Sequence, residues 1–236
     1  MVVREALPGG SLQALLEARR RLPFAARAAI LRGIAAGVRF LHEARPPVLA
    51  ALTPGSVLLD KNLQAKLCVP PRARGAPPPP LSLWTAPECL GGAPLSLESD
   101  VYAFGMVVFE LLSNTRPFAA QEATMGRDAV LNLIASMDAR PMFPAATPQP
   151  LREVAMECWV RNPSKRPSAA ESALLLESAL LQMGDGGDSS VVGLGDLDPV
   201  SVLPKHILQA LKAGQKVEPE SFEEVLAHRA PTLRLA

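Results

Sequence analysis

The sequence predicts a predominantly α-helical fold with short β-hairpins, and three stretches carry that prediction. Apolar residues recur every three to four positions from Phe24 to Leu41, which is the spacing of one face of a helix. Residues 99–112 are apolar around most of a helical circumference, which indicates a helix buried at the centre of the molecule. The strand-like runs at 57–59 and 65–67 flank an Asp-Lys-Asn turn, which favours a hairpin.

The remaining elements follow from capping residues and from further periodic runs. Ser11 is an N-cap for a short helix, and Ser168 with Glu171 forms a capping box for a helix that ends near Met183. Further helices are predicted at 129–137 and 151–160. We therefore expect a main domain at 1–183, a flexible linker at 184–198 and a helical tail at 199–236.

Composition excludes several classes of protein. The 236-residue chain is 48% hydrophobic and has a formal net charge of +1, which gives no electrostatic basis for binding nucleic acid or an anionic membrane. Its cysteines, Cys68, Cys89 and Cys158, lack metal-binding spacing and are typical of reduced thiols inside a cell. There is no signal-peptide core and no apolar run of about 18 residues. We expect a cytoplasmic protein with no metal and no cofactor.

Four short motifs lie along the main domain. Leu52 and Pro54 precede the first hairpin strand, Val57-Leu58-Leu59, and Trp84-Thr85-Ala86-Pro87-Glu88 follows a proline-rich loop. Residues 99–105 read Ser-Asp-Val-Tyr-Ala-Phe-Gly, and residues 158–168 read Cys-Trp-Val-Arg-Asn-Pro-Ser-Lys-Arg-Pro-Ser. In this order they resemble the C-terminal lobe of the protein kinase superfamily, and within it the tyrosine-kinase-like group that includes the receptor-interacting kinases. The resemblance begins at the hinge between the kinase lobes and implies that the N-lobe motifs are missing here.

The resemblance also implies a degenerate active site. Ala51 stands where the family has its catalytic aspartate, Thr53 replaces a lysine, Ser56 replaces a metal-binding asparagine, and Val69 replaces the magnesium-binding aspartate. Phosphoryl transfer needs positioned metal ions and a residue that orients the attacking hydroxyl. We therefore expect a chain that is not an enzyme, a pseudokinase that acts as a protein-binding or scaffold module in intracellular signalling. The alternatives are a weakly active kinase that receives its nucleotide site from an N-lobe and a truncated product without an independent role.

Four residues have structural roles that the resemblance implies. Glu88 and Arg166 would form a buried ion pair that ties the activation segment to the helical base, and Asp100 would accept hydrogen bonds from the catalytic-loop backbone. Trp159, in the Cys-Trp motif, is the fourth residue with a structural role. The simpler interpretation of Glu88 and Arg166 is two unrelated surface charges, and that of Asp100 is a helix cap alone.

A proline-rich loop replaces the activation segment and suggests a docking site. Arg74, Pro77 and Pro80 follow the spacing of a basic residue and two prolines, within a run of four prolines that favours a polyproline II helix. Such a helix can dock into the aromatic groove of an SH3-type domain. The simpler interpretation is a stiff spacer, because most proline runs are no more than that. The expected partners are thus other proteins, including an SH3-type domain.

Overall fold

The computed structural model describes residues 7–18, 22–44, 51–68 and 80–184. The described residues are predominantly helical with one small antiparallel sheet, which confirms the predicted class. In chain order the elements are β1 (Gly10–Ser11), α1 (Leu12–Glu17), α2 (Phe24–Glu43), a 3-10 turn (Pro54–Ser56), β2 (Val57–Leu59), β3 (Ala65–Leu67), α3 (Pro87–Leu90), α4 (Leu97–Ser113), α5 (Ala119–Met125), α6 (Arg127–Met137), α7 (Gln149–Cys158), a second 3-10 turn (Pro163–Lys165) and α8 (Ala169–Gly184).

The predicted domain boundaries stay predictions, because the linker and tail at 185–236 lie outside the described residues. Within the described ranges, none of the helices combines the length and the apolar character needed to cross a lipid bilayer. Several large apolar side chains are nevertheless exposed on the surface, and the most exposed are Phe40, Met137 and Met142.

The sheet contains three strands in the order β1-β2-β3. The predicted hairpin is present, with Val57 opposite Leu67 and Leu59 opposite Ala65. Its turn is held by the Asp60 carboxylate, which accepts hydrogen bonds from the backbone N–H groups of Asn62 and Gln64 at 2.7 and 2.9 Å. β1 adds a further strand beside β2, so the sheet extends beyond the predicted hairpin.

Helix α4 lies at the centre of the molecule, as its apolar sequence predicts. Every residue from Ser99 to Leu112 is buried. The helix begins at the N-cap Ser96, whose hydroxyl accepts the N–H of Ser99, while the Ser99 hydroxyl accepts the N–H of Ser96. Ser99 therefore supplies a cap oxygen from the third position of a capping box, and the Asp100 carboxylate takes no part in that box. This frees Asp100 to reach a different part of the chain.

The other long helices pack around α4, and glycines allow two close contacts. An added Cβ at Gly105 on α4 would lie 2.9 Å from the Cβ of Cys158 on α7. An added Cβ at Gly37 on α2 would lie 2.8 Å from Leu67 on β3. Interiors are packed too densely to admit such an extra carbon without movement. These contacts fix how far α4 stands from α7 and α2 from the sheet.

Candidate functional site

The short turn at 54–56 occupies the position of the predicted catalytic loop. The Ser56 hydroxyl donates to the carbonyl of Thr53 at 2.8 Å and accepts the N–H of Thr53 at 3.0 Å. Both hydrogen bonds stay within the turn, so the hydroxyl supports the backbone of its own loop. Cys68 then donates its N–H to the Ser56 carbonyl at 2.7 Å, which joins the end of the hairpin to the turn.

The carboxylate of Asp100 binds the chain just before this turn, at Ala51. One carboxylate oxygen accepts the backbone N–H of Ala51 at 2.9 Å, and the other lies 3.1 Å from Nε2 of His42 at the end of α2. Asp100 is only 1% exposed. Ala51 has a φ of 46°, a left-handed conformation that is uncommon for residues other than glycine. The carboxylate thus joins α2, α4 and the loop, and it holds a backbone conformation that alanine rarely adopts alone.

The described loop residues offer few groups for proton transfer or metal binding. Ala51 has no titratable group, and among residues 51–68 and 80–86 the single carboxylate is that of Asp60, which caps the hairpin turn. In the part of the chain that the structure describes, no three metal-binding side chains come together. Val69 lies outside the described residues, as do Arg74 and Pro77 of the proline-rich loop. Pro80 is described and is exposed.

Glu88 and Arg166 form a bidentate ion pair. The two terminal nitrogens of Arg166 lie 2.6 and 2.8 Å from the two oxygens of Glu88. The same guanidinium donates to the carbonyls of Val160, Glu98 and Arg161. Arginine has five N–H donors, and here all five have acceptors. Because the Arg166 side chain is fully buried, this complete set of partners compensates for the cost of removing its charge from water.

The aromatic ring of Tyr102 lies against the Arg166 side of this ion pair. The guanidinium carbons of Arg166 and Arg140 each lie 5.1 Å from the ring centre of Tyr102, a distance typical of cation–π contacts. Burial raises the pKa of Tyr102 to about 12, and its hydroxyl has no hydrogen-bond partner among the residues that the structure describes. Trp159 is buried, with its ring 5.6 Å from that of Phe143. Its carbonyl accepts a hydrogen bond from Nε of Arg140. The structure thus places Trp159 in the core near Arg166.

A groove of about 1140 Å³ is lined in part by Thr53 and Pro54, at the start of the turn at 54–56. Parts of α1, α4, α5 and the loop that precedes α7 form its walls. Trp84 and Glu110 meet inside it, where the indole N–H donates to a Glu110 oxygen at 3.0 Å. The guanidinium carbon of Arg116 lies 5.8 Å from the Trp84 ring centre. The groove therefore presents an aromatic face, a buried carboxylate and a cationic group side by side.

Glu110 has a shifted protonation equilibrium that the sequence did not reveal. Burial raises the pKa of Glu110 to about 7, although the hydrogen bond from Trp84 and the charge of Arg116 oppose that change. Glu17 raises it slightly further. The sequence could have indicated Glu110 in one way, as the single carboxylate in the apolar run at 101–112. A buried carboxylate is costly unless it is paired or hydrogen-bonded, so its presence there suggests a partner or a functional role. Its partner, Trp84, lies 26 positions away in the sequence, so spacing alone could not identify the pair.

Comparison with known proteins identifies the family. Residues 1–176 match the family described as protein tyrosine and serine/threonine kinase. The dual specificity protein kinases shkC and shkD of Dictyostelium discoideum are each 29% identical to the chain, over 77% and 85% of its length. Serine/threonine-protein kinase 12 of Arabidopsis thaliana is 29% identical over 78% of it. These matches cover 38%, 26% and 42% of the relatives, so the chain spans less than half of their length.

These comparisons correct one expectation. The substitutions at Ala51, Thr53, Ser56 and Val69, with the missing N-lobe motifs, predicted a chain that is not an enzyme. The family match and all three relatives instead point to a protein kinase. That prediction inferred the class of the whole protein from a few substituted side chains. The match covers most of the chain, and it therefore decides the class of protein where single substitutions do not.

Proposed function

Because the chain belongs to the protein tyrosine and serine/threonine kinase family, we propose that it is the C-terminal lobe of a kinase domain that binds other proteins in cytoplasmic signalling. The observation that carries the proposal is the groove lined by Trp84, Glu110 and Arg116. Clefts of about 300–1,000 Å³ with apolar walls and a few convergent polar groups are the usual binding sites of proteins. This groove is slightly larger, and an extended peptide suits it better than a compact small molecule.

The groove also has the rigidity that binding requires. Trp84 is fixed by its hydrogen bond to Glu110, and the segment after it begins α3, where Glu88 is held by Arg166. A surface that is already ordered loses little conformational entropy when a peptide docks. Trp and Arg are also the residue types that contribute most often to binding hot spots.

Peptide display against the whole chain tests this proposal. We expect selected peptides to lose at least about tenfold in affinity when Trp84→Leu or Arg116→Ala removes a groove side chain, since hot-spot truncations cost roughly 2 kcal/mol or more. Met156→Ala changes an exposed side chain on α7, outside the groove, and serves as the control. Peptides that bind wild type and both groove variants equally would place the binding surface elsewhere.

Protein phosphorylation is the second candidate function, and the relatives favour it because all three are protein kinases. Under this alternative, the segments of a longer protein that have no counterpart here would supply the nucleotide site. The assay is transfer of labelled phosphate from magnesium ATP to a generic protein substrate, with the longer protein as wild type and as Ala51→Asp. Incorporation that rises in Ala51→Asp would support it, whereas transfer by neither protein would argue against it.

The proline-rich loop gives a separate proposal about a partner. Arg74, Pro77 and Pro80 would dock an SH3-type domain, and the exposure of Pro80 is compatible with that role. An SH3 array probed with wild type and with the triple variant Arg74→Ala, Pro77→Ala and Pro80→Ala tests it. If no domain distinguishes the two proteins, the loop is only a spacer.

A further inference from the structure

A second cavity lies at the opposite end of α4 from the groove. It has a volume of about 430 Å³ and lies between the end of α2 and the starts of α4 and α8. We call it the α2–α4–α8 cleft. It shares no lining residue with the groove. Its apolar side chains are those of Leu97, Val101, Pro163, Pro167, Ala169 and Ala170.

The charged residues at the cleft are unevenly paired. Arg39 forms an ion pair with Glu43 at 2.6 Å, so these two opposite charges compensate each other. Arg166 is committed to Glu88 and to three backbone carbonyls, and His42 faces Asp100. Every cationic or basic side chain that lines the cleft therefore already has an acidic partner.

Two carboxylates at the cleft have no such cationic partner. Glu98, in the first turn of α4, forms no salt bridge within the described residues. Hydrogen bonding from Ser96 lowers its pKa, and the more distant charges of Arg166 and His42 lower it further. Glu171, in the first turn of α8, accepts the N–H of Ser168 at 2.7 Å and forms no salt bridge either. The cleft thus combines apolar side chains with two carboxylates that form no salt bridge within the described residues.

We propose that the α2–α4–α8 cleft binds a short segment of a partner protein in which an apolar side chain lies next to lysine or arginine. The apolar side chain fills the floor between Leu97, Val101 and Ala170, and the cation reaches Glu98 and Glu171. Burial of the apolar group supplies most of the affinity, and the carboxylates of half-buried Glu98 and exposed Glu171 select the sign of the partner's charge. The volume lies within the range of ordinary ligand-binding clefts.

Two residues of the cleft walls also hold other parts of the lobe. His42 and Arg166 belong to its walls, and they also hold Asp100 and Glu88. A bound segment would therefore lie beside the residues that hold the Ala51 backbone through Asp100 and the start of α3 through Glu88. This site is independent of the groove, so the two proposals stand or fall separately.

The test measures binding of a labelled synthetic peptide that alternates leucine and arginine, using fluorescence polarisation with the whole chain. The two matched peptides replace arginine by glutamate or leucine by serine. The double variant Glu98→Gln, Glu171→Gln removes both charges, while glutamine at position 171 can still complete the capping box with Ser168. Glu157→Gln, an exposed residue on α7, is the control.

We expect the leucine–arginine peptide to bind wild type and the Glu157→Gln control equally. The double variant should bind it roughly 2- to 30-fold more weakly, the range for two exposed ion pairs, and added salt should reduce that difference. Both matched peptides should bind more weakly than the parent. Equal binding by wild type and the double variant would overturn the proposal, as would a Glu17→Gln variant that alone loses binding, because Glu17 lines the groove.

Discussion

Glu88 and Glu110 are two glutamates in the packed part of the molecule, and their partners differ. Both oxygens of Glu88 are bound by the Arg166 guanidinium, a full opposite charge. Glu110 is less exposed, and the partner that donates to it is the neutral indole of Trp84. A carboxylate with a matching cation is part of the framework, whereas one with a neutral donor stays sensitive to pH. The same side chain therefore serves structure at one place and remains available for a ligand or a proton at the other.

The largest effect should follow from breaking the Glu88–Arg166 pair. We expect Glu88→Ala and Arg166→Ala each to lower the free energy of unfolding by about 3–5 kcal/mol, because each leaves a buried charge without its partner. The double mutant should cost less than the sum of the two. Urea unfolding measures all three. The half-exposed pair Arg32–Glu177 gives the control, and Arg32→Ala should cost at most about 1 kcal/mol. Additive effects of Glu88→Ala and Arg166→Ala would mean that the pair does not act as one unit.

Glu110 should instead make stability depend on pH. Its folded pKa of about 7 lies above the ordinary value of 4.5, so the folded state holds the extra proton between those values. The contribution is fully present below about pH 4.5 and is lost as pH rises through 7. The total is about 3 kcal/mol at most, at roughly 1.4 kcal/mol per pKa unit.

Glu110→Gln tests that pH dependence, because glutamine does not titrate. Its unfolding midpoint in urea should lack the decline that wild type shows between pH 4.5 and 7. Glu153→Gln, an exposed glutamate on α7, should retain the decline and serves as the control. If wild type and Glu110→Gln have parallel profiles, Glu110 does not titrate in this range.

Removing the indole donor should raise the pKa of Glu110 further. Trp84→Phe keeps a ring in the groove but removes the hydrogen bond that favours the ionised form of Glu110. A hydrogen bond to a charged group contributes about 1.5–3 kcal/mol, so the pKa of Glu110 should rise further, by roughly one to two units. The stability decline should then extend to higher pH in the same urea series. A decline that still ends near pH 7 would show that burial alone sets the pKa.

The smallest effect concerns Tyr102, which lies between Arg140 and Arg166. Tyr102→Phe keeps the ring that both guanidinium groups face and removes a buried hydroxyl without a partner. We expect the stability to stay within about 0.5 kcal/mol of wild type or to rise, because an unsatisfied buried hydroxyl is itself costly. Tyr102→Leu, which removes the ring, should be clearly destabilising by thermal unfolding. A loss above about 1 kcal/mol in Tyr102→Phe would reveal a partner for the hydroxyl.

Prediction from sequence worked best for long periodic elements. Helices α2 and α4 have enough turns for their apolar spacing to stand out. β1, α3 and α5 have two, four and seven residues, too few to establish a period, and they were not predicted. The start of α4 was misplaced because Ser96 and Ser99 are equally good N-caps, and only the backbone decides between them.

The candidate site was predictable only in part. The meeting of Glu88 with Arg166, 78 positions apart, was expected from the family resemblance and not from spacing. The hydrogen bond from Ala51 to Asp100 was expected on the same basis. The contact between Trp84 and Glu110 and the α2–α4–α8 cleft depend on how separate elements pack, and no local pattern encodes that. The motifs identified the kinase family correctly, but the expectation that the chain is not an enzyme was wrong because it gave four substituted positions more weight than those motifs.

The separation of Glu88 from Arg166 also has a consequence for biosynthesis. A ribosome adds roughly 5–20 residues per second, so Arg166 is added roughly 4 to 16 seconds after Glu88. Helix α4 is complete by then, and Cys158, which lies against its Gly105, is added only shortly before Arg166. During that interval the nascent chain carries an apolar helix that α7 and α8 have not yet covered, and a glutamate without its arginine. Chaperones that recognise apolar segments can bind the chain in this interval, before the final helices pack against α4.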